Sequence, residues 1–108
     1  MTDKLVPLIL ELNVQEEKRL DESFLRMFGG LINKLMQRMF GMPTPEIVIR
    51  GTDQQIDALK SALSYEKKYL ETFYALGLDN PRTYRSKAEL DKATASFERI
   101  TGLKWPFK

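Results

Sequence analysis

Two short stretches of this chain carry a strand pattern, and one long helical stripe lies between them. In Leu8-Ile-Leu-Glu-Leu-Asn-Val14, Leu8, Leu10, Leu12 and Val14 share one side while Glu11 and Asn13 take the other, which is the alternation of a strand. Pro7 is tolerated at a strand start. The first turns of a helix are the competing reading, and the alternation favours the strand. Glu46-Ile-Val-Ile-Arg50 is rich in β-branched residues and reads as the second strand. Strands joined through a helix can pair in parallel by a right-handed crossover. A sheet of two strands has little cover and open edges, so helices or strand pairing with a second copy of the chain must protect it.

The stripe between the strands is helical. Asn13 followed by Glu16 has the chemistry of a helix start, and Glu16 and Glu17 suit the positive end of the helix dipole. Apolar residues then recur at Leu20, Phe24, Phe28, Leu31, Leu35 and Met39, with Met27, Ile32, Met36 and Phe40 widening the stripe. Asp21 or Ser23 offers a second start. Gly29-Gly30 costs about 1 kcal/mol per glycine in a helix interior and marks a kink, a break or a close crossing. Gly41 stops the element, and Met42-Pro-Thr-Pro45 is a stiff linker.

Beyond the second strand, Gly51 turns the chain and Thr52-Asp-Gln-Gln55 forms a capping box. The helix it opens turns Ile56, Leu59, Leu63, Tyr69 or Leu70, Phe73 and Leu76 inward and stops at Gly77. Glu66 and Glu71 beside Lys67 and Lys68 read as an exposed charged face. A loop over 78–85 leads to a second capping box, Ser86-Lys-Ala-Glu89, and a last helix with Leu90, Ala93, Phe97 and Ile100 inward, ending at Gly102. The tail holds Trp105 and Phe107, which a frayed terminus rarely carries, so it is expected to pack on the core. The expected fold is α+β and mostly helical, in the order β-α-β-α-α with a long amphipathic first helix and a small sheet. At 108 residues the chain is one domain, 1–108.

Composition narrows the chemistry further. The chain has no cysteine and no histidine. Disulfides, thiolate nucleophiles, cysteine or histidine zinc sites, imidazole-based triads and histidine switches are excluded by residue type. Neither a DxDxDG calcium loop nor a GxxxxGK[ST] phosphate loop occurs. Asp53, Asp57, Glu66 and Glu71 form no catalytic pairing in the sequence, so an enzyme is not expected, and no cofactor or metal either. The start lacks a basic region and a cleavage site, and no apolar run reaches spanning length. A cytoplasmic protein is expected.

Two segments carry the functional expectations. Phe24 to Met42 holds four of the five methionines, three of the six phenylalanines, three basic residues and no acid. Part of it must be core. Methionine adapts to varied surfaces, so a surplus face of Met27, Phe28, Met36, Met39 and Phe40 is expected to bind a protein partner or a second copy of the chain. Membrane-surface binding ranks below that, because three charges are few and no tryptophan anchors the helix. Arg82, Tyr84, Arg85 and Lys87 interleave an aromatic with cations, the alternative of a small nucleic-acid-binding module. The strand and helix at 46–76 loosely resemble KH-type RNA-binding folds, although no GXXG loop follows.

The C-terminal third, GLDNPRTYRSKAELDKATASFERITGLKWPFK, resembles small accessory proteins of large tailed bacteriophages. The likeness covers residues 77–108, carries no signature motif and transfers no functional residue. It implies a virus-encoded protein that assembles in a virion or binds a host or phage component, in the virion or the host cytoplasm.

Overall fold

The structure, a computed structural model, describes residues 7–107. Its elements are β1 (Leu8–Glu11), α1 (Glu16–Arg19), α2 (Glu22–Met39), β2 (Ile47–Arg50), α3 (Asp53–Leu76) and α4 (Pro81–Thr101). The fold is α+β and mostly helical, with a small parallel sheet of β1 and β2. Leu8 pairs with Ile47 and Glu11 with Arg50, so opposite charges sit side by side at one end of the ladder. Leu10, Leu12 and Val14 are buried as the alternation requires.

The long first helix is two helices. Leu20 caps α1, and Asp21 turns extended and accepts the Phe24 N–H at 3.1 Å. That bond satisfies one of the donors left unpaired at a helix start, so the second start wins over continuity and leaves Leu20 exposed rather than on the stripe. Asn13 is not the cap of α1, since Gln15 holds that position without a side-chain bond. Gly29-Gly30 neither breaks nor ends α2. A methyl group on Gly29 would lie 3.6 Å from Pro106, so the tail crosses the helix there, while Gly30 faces open space. Beyond Phe40, Gly41 N–H reaches Arg38 O and Met42 N–H reaches Gln37 O, a Schellman stop.

The Thr52 capping box opens α3 with both reciprocal bonds in place. α4 starts five residues before the expected box. Asn80 caps it by accepting the Arg82 N–H at 2.9 Å, and Pro81 occupies the first turn. Proline there is pre-set for a helix and loses no needed donor, so Arg82 to Lys87 is helical and not a loop. Ser86 is consequently interior and buried, its Oγ donating to Thr72 Oγ1 at 3.3 Å. Thr83, Thr94 and Thr101 are buried along the same face, each bonded to a backbone carbonyl.

One hydrophobic cluster joins β1, α2, α3, α4 and the tail. A row of rings runs through it: Phe24 to Phe28 at 6.0 Å, Phe28 to Phe97 at 6.3 Å, Phe97 to Trp105 at 5.3 Å and Trp105 to Phe107 at 6.1 Å. Such pairs add about 0.5–1.5 kcal/mol each beyond the area they bury. The tail therefore packs on the core. Gly102, left-handed at φ 77°, ends α4. A side chain there would collide with the Arg19 guanidinium, whose Nε donates to Val14 O. Among the described residues, no helix is long and apolar enough to cross a membrane.

Candidate functional site

The wide stripe of α2 resolves into a core strip with two flanks. At about 100° per residue, Met27 and Phe40 fall on opposite sides of the line through Phe28, Leu35 and Met39. Phe28 and Met36 are buried, and of the two Met36 lines the hollows between α2 and α3. Met39 is half-buried against the core. Met27 is exposed and borders a groove beside β1 with Ile9 and Phe24. Phe40 is exposed on the other flank, against α3. The five residues expected to form one face do not share one.

The Phe40 flank is where an apolar surface gathers. Two adjoining hollows of about 290 and 300 Å³ share Asn33, Met36 and Leu70, and so form a continuous groove between α2 and α3. Phe40, Met42 and Tyr74 border one end, and Tyr69 and Phe107 the other. Phe40, Met42 and Tyr74 are 41%, 52% and 74% exposed, an uncommon exposure for large apolar and aromatic side chains standing together. Lys67 Nζ lies 5.4 Å from the centre of the Phe40 ring and 2.6 Å from Glu71 Oε2, so the rim is charged.

The floor at the Phe107 end holds an acid. Glu66 is 5% exposed, and its Oε1 accepts the Trp105 indole N–H at 2.8 Å. Trp105 N–H donates to Glu98 Oε2 at 2.8 Å, so two carboxylates fasten the tail. Burial raises the Glu66 carboxyl above the ordinary glutamate range, opposed by the Trp105 bond and by Lys87. Placing Glu66 on an exposed face with Lys67 and Lys68 was therefore incorrect: Glu71 takes Lys67, Glu89 takes Lys68 at 3.1 Å, and Glu66 turns inward to the tail. Local spacing carried no sign of this, because the partner lies 39 residues away. The lone tryptophan was the only sequence signal, since a buried indole N–H needs an acceptor.

Arg82, Tyr84, Arg85 and Lys87 are separated by the early start of α4. Arg82 and Arg85 border a groove of about 430 Å³ between α3 and α4, with Lys68, Glu71 and Glu89. Tyr84 is 61% exposed and stands away from it, and Lys87 pairs with Asp91 at 2.7 Å, a bond that raises the lysine. The cations and the ring do not form one stacking platform. Among the described residues, no group of three or more acidic side chains is placed to hold a metal ion.

No family model, curated protein or solved structure matches this chain.

Proposed function

We propose that this chain is a non-enzymatic interaction or assembly protein that docks a protein partner, or a second copy of itself, along the groove between α2 and α3. The observation that carries the reading is the exposed trio Phe40, Met42 and Tyr74 standing around a floor of Met36 and Leu70. Aromatic and methionine side chains around a concave apolar floor are what helix-in-groove recognition uses. The likeness of residues 77–108 to small accessory proteins of tailed phages leads us to place this assembly role in a virion, or on a phage or host component.

Light scattering after size exclusion, with co-purification from the native source, tests the reading. Wild type is expected to self-associate or retain a partner, and Phe40→Glu and Tyr74→Glu to weaken that association at least tenfold while folding normally. Association untouched by both changes would sink it.

A nucleic-acid module is the second reading. It is favoured by Arg82 and Arg85, which form no ion pair among the described residues and share one groove. It requires single-stranded RNA or DNA to bind at low salt and to release as salt rises. Charge reversal at Arg82 and Arg85 that leaves affinity unchanged removes it.

A further inference from the structure

Glu66 is an expensive way to hold an indole. A neutral amide oxygen at the same place would accept the Trp105 N–H without the cost of taking a charge out of water. The carboxylate also brings a second oxygen that the latch does not use. Glu66 Oε2 has no hydrogen-bond partner among the described residues. Among those residues, Thr44 Oγ1 is the fully buried side-chain polar atom without a partner. Oε2 is therefore not sealed in, and Glu66 lines the groove at the Phe107 end.

The neighbours state what that oxygen lacks. Lys87, the cation whose charge reaches Glu66, is exposed and held by Asp91 at 2.7 Å, and it makes no ion pair with Glu66. Lys67 and Lys68 are engaged by Glu71 and Glu89. Besides Glu66, the hollow is lined by Tyr69 and Leu70 of α3, Asn33 and Met36 of α2, and Phe107 of the tail. Aromatic walls favour a cation, and the more so as the site dries. An ionised carboxylate only accepts hydrogen bonds. With a volume of about 300 Å³ the hollow lies at the small end of ligand pockets, roughly 300–1,000 Å³, and suits a side chain better than a cofactor.

We propose that the Phe107 end of the groove is a cation subsite, in which Glu66 receives a lysine or arginine side chain from the docked protein between Tyr69 and Phe107. The inference rests on the docking reading above and specifies the partner's chemistry: an apolar surface that presents one basic side chain toward Glu66. Binding gives the buried carboxylate a paired cation, where Lys87 acts on it without an ion pair, so a partner with a neutral side chain at that point is discriminated against.

The chain has one tryptophan, so its indole N–H gives one NMR cross-peak, and that proton is bonded to Glu66. The probes are hexylammonium and 1-hexanol, equal in chain length and different in charge, titrated at pH 7.5. Hexylammonium is expected to shift the indole peak saturably at a concentration at least about tenfold below that of hexanol. Glu66→Gln, which keeps an oxygen for the indole, should bind the two probes alike, and an unmoved melting transition or a higher one shows that it folds. Phe107→Ala removes an outer wall and its edge contact with Trp105, keeps both partners of the Glu66–indole bond, and should weaken hexylammonium several-fold. Equal binding of the two probes by wild type, no shift with either, a cation preference that survives Glu66→Gln, or unchanged binding in Phe107→Ala each overturns the subsite. None of these touches the docking reading, which falls if wild type neither self-associates nor retains a partner, or if Phe40→Glu and Tyr74→Glu leave association intact.

Discussion

Two of the grooves along α3 differ in what lines them, and the more charged has the weaker claim to function. The one shared with α4 is about 430 Å³ and is bordered by the pair of Lys68 with Glu89, by Glu71 with Lys67 nearby, and by Arg82 and Arg85, which stand outside those pairs. Its floor is polar and satisfied, with Ser86 Oγ donating to Thr72 Oγ1 and Thr72 to Lys68 O. The one shared with α2, two joined hollows of about 290 and 300 Å³, is apolar, with exposed aromatics at both ends and a buried acid that makes no ion pair among the described residues. Volume measures space. What calls for a ligand is surface and charge left unanswered by the fold.

The largest expected effect breaks the apolar groove from below. Trp105→Ala removes two ring contacts and strips Glu66 of its donor, and should cost about 3–5 kcal/mol in urea unfolding. A cost under about 1 kcal/mol would mean that the tail is not part of the core. Next in size is the outer surface. Phe40→Glu or Tyr74→Glu should reduce association tenfold or more, whereas charge reversal at Arg85, across α3, should leave it within about twofold, as read by light scattering. The reverse ordering would move the docking site to the α3–α4 groove.

Glu66 sharpens the comparison through pH. A carboxyl raised above its unfolded value is stabilising to protonate, so its ionisation costs nothing below the ordinary glutamate range and the full amount above the raised value. Stability therefore falls as pH rises through that window. Glu66→Gln should melt above wild type at neutral pH, with a gap that closes on acidification toward about pH 4. A gap independent of pH would rule out the buried charge as its source. The smallest effect belongs to the α3–α4 groove, where Lys68→Ala should cost under about 0.5 kcal/mol, because its pair with Glu89 is exposed.

The readings that held in the structure share a short range. The β1 and β2 patterns, the Thr52 capping box, the stops at Gly41, Gly77 and Gly102, and the inward set Leu90 and Phe97 each depend on residues within a turn or two. The helix starts that failed were contests between two local signals. Asp21 prevailed over a continuous stripe, and Asn80-Pro81 over Ser86-Lys-Ala-Glu89. Ser86 looked like a cap because serine suits that role, yet small hydroxyls also suit a close helix crossing, and only the position of α3 decides between them. Trp105 was legible as a core anchor, but its acceptor was not.

By itself, the sequence determined which chemistries the chain lacks and which segments become strands and helices, since residue type and near-neighbour spacing are local properties. The sides of α2 that stay open were a tertiary matter, because Met27 and Phe40 are equally apolar and only the packing of β1, α3 and the tail sorts core from flank. The tertiary structure also turned Glu66 from a surface charge into the floor of a groove. Its solvation and partners come from α2, α4 and a tail 39 residues away, and no spacing rule along one helix encodes them.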